Sequence, residues 1–97
     1  PAMPELATIG ESGAVGTKDF QAIAWQSLVA PAGCPPELVA KYAAALEKVM
    51  KQPEIQSRLA SEGVEPVTMG PQQLAAYMKS ETVRWGAVVK ASGATMD

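Results

Sequence analysis

Chemistry in this chain would have to come from very few side chains. The single cysteine, Cys34, stands in the segment Pro31-Ala-Gly-Cys-Pro-Pro36, where an apolar run gives way to a helical pattern. A thiol in the first turns of a helix can ionise more easily and serve as a nucleophile or redox sensor. The base usually paired with such a thiol is histidine, and the sequence has none. The competing reading places Cys34 at the N-cap, where Ser, Thr, Asp or Asn usually sits. The loop is also a poor phosphate cradle, because its prolines remove the N–H groups a cradle needs and the glycine spacings of nucleotide-binding loops are absent. Glu81 is the second candidate, a carboxylate within an otherwise apolar helical seam. It could be a site residue with a raised pKa, or a structural group paired with a neighbour on its own or a packed helix. Ser80-Glu81 and the scattered lysines give no nucleophile–base pair at a meaningful spacing. With one Cys and no His, no thiolate metal site can be built.

The elements that must carry these residues follow from periodicity and punctuation. Pro4 to Gly13 has a short helical pattern, and the glycine-containing stretch to Asp19 reads as a turn-rich connection. From Phe20 to Ala30 the period is two. Ile23, Trp25, Ser27 and Val29 line one face, while Ala24, Gln26, Leu28 and Ala30 line the other. Both faces are mostly apolar, which predicts an interior strand ended by Pro31. Pro35 and Pro36 open a helix whose stripe is Leu38, Tyr42, Leu46 and Val49. A second helix starts near Pro53, carries Ile55 and Leu59 one turn apart, and ends near Gly63. Val64 to Met69 is a short apolar run broken by Pro66, suited to an edge strand or an extended segment. Pro71 then launches the longest helix, to about Ser92, with the stripe Leu74, Met78, Glu81, Trp85 and Val88 and with Tyr77 and Val89 beside it. The expected class is α/β, rich in helix, with two visible strands. Two strands make too small a sheet to stand alone.

Bulk properties set outer limits. A chain of 97 residues is enough for one small domain, which would bury about 60–65% of its unfolded surface. Apolar residues make up 47% and charged residues 19%, ordinary values for a globular protein. The net charge of -2 is not strong enough in either sign to argue for nucleic acid or an anionic membrane as partner. No run approaches the ~20 apolar residues needed to span a bilayer. The chain opens on Pro1 with no initiator Met and no signal-like segment, so it reads as cut from a longer protein.

Three blocks of residues resemble one family. Pro4, Thr8, Glu11 and Gly13 fit a Pro-x-x-x-Thr-x-x-Glu-x-Gly opening. Trp25, Leu28, Ala30, Pro31, Ala32, Gly33 and Pro35 fit a Trp-x-x-Leu-x-Ala-Pro-Ala-Gly-Thr-Pro segment. Gly63, Pro66, Pro71, Leu74, Glu81, Trp85, Val89 and Gly93 fit a C-terminal signature. The chain thus resembles, over nearly its whole length, the last third of Bug/TctC-like extracytoplasmic solute receptors of tripartite tricarboxylate transporters. It departs from their pattern at Cys34, where Thr is usual, and at Gln26 and Ser27, where an aromatic residue and Gly are often seen. In "TMGPQQ" the usual helix opening is altered as well, although Gln73 can still reach back as a capping-box partner.

The resemblance implies the C-terminal portion of a two-lobed fold like that of periplasmic binding proteins. Residues 1–22 would come from one lobe; residues 23–97 would form the crossover strand and the last part of the other. It implies a periplasmic, non-enzymatic receptor without cofactor that captures a small carboxylate for the permease subunits of the transporter. Trp25 and Ser27 are the candidate ligand-binding residues, with most of the site expected upstream. Uncovered apolar surface would make the chain self-associate. The alternative is a small stand-alone α/β interaction module with no transport role.

Overall fold

A computed structural model describes residues 3–95. Its elements are a single 3-10 turn, Ile9–Glu11, and three α-helices: α1, Pro36–Met50, α2, Pro53–Ser61, and α3, Pro71–Ser92. Each α-helix begins on a proline, as the sequence predicts. At the first helical position the missing N–H is one that would find no intrahelical partner, and the ring fixes φ near its helical value.

The helix ends are equally local in origin. The turn before α1 is closed by the Cys34 N–H, which donates to the Pro31 carbonyl at 3.2 Å. Gly33 supplies the φ of 81° that such a turn requires at its third residue. The cap, however, is not Cys34. Pro35, forced out of the helical region by the proline that follows, holds ψ at 134° and is itself the N-cap. Cys34 lies one residue earlier, half-buried. At the other end of α2, Val64 N–H donates to Leu59 O at 2.8 Å and Gly63 N–H to Ala60 O at 3.1 Å. This paired closure needs a left-handed residue, which Gly63 provides at φ 71°. At the start of α3, the Gly70 N–H donates to Gln73 Oε1 at 3.2 Å. Glycine has no side chain, so only the reciprocal half of a capping box forms there.

The two expected strands are absent. Among the described residues there is no strand and no sheet, so the fold is helical rather than α/β. Phe20 to Ala30 and Val64 to Met69 run without regular structure. Alternating apolar residues favour an extended backbone, but a strand exists only where another backbone accepts and donates its ladder bonds. Neither segment finds that partner among the described residues.

The expected single core is missing too. No described apolar side chain is buried; Glu81, at 9% exposure, is the one buried residue. The α1 stripe exists as a pattern, but its Leu38 and Leu46 remain 38% and 39% exposed. The half-buried positions are Val39, Ala43 and Met50 on α1, and Ile55 and Leu59 on α2, which packs against α1. The chain's accessible surface is 8764 Å². A compact monomer of its 10.1 kDa would expose only about 5,300 Å². The radius of gyration, 17.1 Å, likewise exceeds the ~12.5 Å of a compact chain of this length.

The N-terminal turn has its own anchor. The Glu11 carboxylate accepts the Thr8 N–H at 2.9 Å and the Thr8 hydroxyl at 2.7 Å. These bonds, the backbone one first, favour the ionised form and hold the Glu11 pKa below the ordinary glutamate value. Because the folded-state pKa is depressed, the stabilisation is complete above the ordinary glutamate range. It is lost as pH falls through the lower, folded value. In an NMR pH titration we expect the Thr8 amide to titrate with Glu11, at a midpoint below the ordinary glutamate value. A Thr8 amide that does not respond to acid would contradict the bond.

Candidate functional site

The best-organised side chains lie along one face of α3. Leu74, Tyr77, Met78, Glu81 and Trp85 recur at helical spacing and are the sheltered positions of that helix. Glu81 sits at their centre. Its Oε2 accepts the Trp85 indole N–H at 2.9 Å, and its Oε1 receives Arg84 Nη1 at 3.4 Å. The Arg84 guanidinium lies 5.4 Å from the centroid of the Trp85 ring, a cation–π distance. One helix thus supplies acceptor, cation and indole at i, i+3 and i+4, a spacing that brings side chains together. The sequence left Glu81 between a site role and a structural one; here both its oxygens are engaged by neighbours on its own helix.

Trp25 is brought to the same face. Its ring meets Tyr77 edge-on, with centroids 5.5 Å apart and planes at 69°. This is a favoured aromatic geometry, worth about 0.5–1.5 kcal/mol beyond burial. The Phe20 to Ala30 segment is therefore tied to α3 through its tryptophan, a partnership that sequence spacing alone does not reveal. Ser27, the other expected ligand residue, is exposed.

Two open hollows flank these elements. The smaller, about 420 Å³, lies between the loop carrying Lys18, Asp19 and Phe20 and the part of α3 carrying Arg84, Trp85 and Val88. Asp19 adopts a left-handed φ of 63°, an uncommon conformation for a non-glycine residue. The larger, about 800 Å³, lies where α1 and α3 begin, and is lined by Cys34, Pro36, Val39, Gly70, Pro71 and Gln73. Trp25 and Ser27 line neither hollow. Cys34 has no base beside it there, since none of the other lining residues is titratable. Among the described residues no cluster of His, Cys, Asp or Glu could hold a metal ion. None of the helices is long and apolar enough to cross a membrane.

The Glu81 arrangement makes a direct stability prediction. Glu81→Leu leaves the Trp85 N–H and the Arg84 guanidinium without their shared acceptor. Both donors retain access to water, so the expected loss is only about 1 kcal/mol, with Glu81→Gln losing less. Urea unfolding followed by tryptophan fluorescence checks this, and an unchanged midpoint in Glu81→Leu would contradict it.

Comparison with known proteins now bears on these elements. The profile of the TctC family, described as "Tripartite tricarboxylate transporter family receptor", matches residues 1–94. The UPF0065 protein in the tcbD-tcbE intergenic region of a Pseudomonas species is 34% identical over 85 residues, covering 88% of this chain and 25% of the relative. Protein BugT of Bordetella pertussis is 26% identical over 96 residues, 99% of this chain and 28% of its own length. The UPF0065 protein in the TAR-I ttuE-ttuC' intergenic region of Agrobacterium vitis is 33% identical over 94 residues, 94% of this chain and 26% of its own. No solved structure matches. This chain spans about a quarter of the length of those relatives, and the match over residues 1–94 makes it a member of the tripartite tricarboxylate transporter receptor family.

Proposed function

We propose that this chain is the ligand-capturing receptor's C-terminal segment, serving a periplasmic protein that binds a small carboxylate and delivers it to membrane permease subunits. The observation that carries the reading is the family match over residues 1–94, extending almost from end to end. The open architecture is in keeping with it, since no apolar side chain is buried among the described residues and the two hollows are open to solvent. Trp25 and Ser27 are its proposed contribution to the ligand cleft. The greater part of the cleft would come from the rest of a protein of the relatives' length. Capture would then proceed without covalent chemistry, by shifting lobes between open and closed states through contacts made only when closed.

On its own, the 97-residue chain would bind no carboxylate tightly and would associate through its uncovered apolar surface. A thermal-shift screen against mono-, di- and tricarboxylates separates these statements. A receptor of the relatives' length carrying this segment is expected to show a saturable upward shift with one carboxylate class. The isolated chain is expected to show none. Tight carboxylate binding by the isolated chain would contradict the reading, as would a full-length receptor that responds to no carboxylate.

A further inference from the structure

The proposed ligand role of Trp25 leaves open what holds its ring in place, and the inference here rests on that reading. We infer that Tyr77 is a positioning residue for the ligand contact: from α3 it fixes the Trp25 indole in the orientation in which that ring meets the carboxylate ligand.

The main chain around Trp25 does not fix it. The Phe20 N–H donates to Thr17 O at 3.0 Å, and the next backbone bond along the chain is Cys34 N–H to Pro31 O at 3.2 Å. Between them, among the described residues, the main chain makes no hydrogen bond of its own. What ties residue 25 to a regular element is its ring, set edge-on to Tyr77 with centroids 5.5 Å apart and planes at 69°. The contact is directional, because the positive edge of one ring seeks the negative face of the other. It therefore sets an angle as well as a distance. Tyr77 can serve as the fixed partner, since it is half-buried and its backbone is held within α3. Trp25 keeps 38% exposure beside that contact, which leaves ring surface for a ligand.

The chemistry of the segment makes placement decisive. No charged residue occurs from Phe20 to Pro36, so Trp25 and Ser27 cannot neutralise a carboxylate. Their contribution is packing against the uncharged part of the ligand and a hydroxyl hydrogen bond. Packing is short-ranged: a gap of about 0.5–1 Å already forfeits about a quarter to a half of the attraction. A ring free to swing loses that contact, and a ring held by Tyr77 keeps it. Tyr77 thus acts on the ligand through Trp25 without touching it.

Calorimetric titration of a receptor of the relatives' length carrying this segment is the test, with acetate, succinate and citrate as probes. For the tightest of the three, Trp25→Leu should weaken binding at least ~10-fold. Tyr77→Leu should weaken it about 5-fold, while Tyr77→Phe, which keeps the ring, should bind normally. In a Trp25→Leu background, Tyr77→Leu should cost nothing further, because its effect passes through the indole. An equal loss in both backgrounds, or no loss in Tyr77→Leu, overturns the inference and keeps the ligand role of Trp25. Unchanged binding in Trp25→Leu overturns that role and the inference with it, as does a receptor that binds none of the probes. The 97-residue chain reads the geometry without ligand, and without relying on the fold of the longer variants. Trp85→Phe leaves Trp25 as its one indole. Adding Tyr77→Leu should then raise iodide quenching of Trp25 fluorescence and adding Tyr77→Phe should not, whereas quenching unchanged by Tyr77→Leu would overturn the inference.

Discussion

An amphipathic helix is held in a protein mainly by the surface that covers its stripe, and in this chain that cover is largely missing. Hydrophobic burial supplies the dominant favourable term in folding, and an isolated helix as short as α2, with 9 residues, is marginal in water. All three helices carry apolar stripes, yet the packing recorded between elements is that of α1 on α2, a pair joined by the shortest of connections. The remaining order is local: prolines that start helices, a glycine closure that ends α2, a carboxylate that holds its own indole. Each of these acts over three to five residues. None of them builds a second layer.

The Glu81–Trp85–Arg84 unit shows what local order can accomplish. A carboxylate 9% exposed would be costly if left unpaired. It is tolerated because an indole N–H and a guanidinium on the same helix reach its two oxygens. The arrangement links two turns in the middle of α3, one turn after the Tyr77 that meets Trp25. Through that contact the Phe20 to Ala30 segment meets the helix. The family assignment and the open shape are therefore two views of one fact: a segment matching about a quarter of its relatives' length carries helix stripes that its own residues do not cover.

How much was legible in the sequence follows the same division between local and distant. Helix starts at Pro36, Pro53 and Pro71, and the stop of α3 at Ser92 before Gly93, could be read because each depends on residues within one turn. The family blocks could be read because they are patterns of identity, independent of packing. The strands were misjudged, since alternation reports a preference for extended backbone while pairing depends on a partner elsewhere. The α1 stripe is legible as a pattern, but a pattern does not say what covers it, and Leu38 and Leu46 stay 38% and 39% exposed. Cys34 was placed one residue too far along because Pro35, before another proline, takes the cap conformation itself. The Trp25–Tyr77 contact joins residues far apart in the chain, and no spacing announces it.

Calorimetry tests the central claim, that this chain does not close a core of its own. A compact two-state domain of about 100 residues unfolds with ~60–80 kcal/mol of heat at a midpoint independent of concentration. For this chain the account predicts a weak, broad transition at high dilution, with a midpoint that rises with protein concentration as copies cover one another. A sharp, concentration-independent transition carrying the full heat of a compact domain would contradict it.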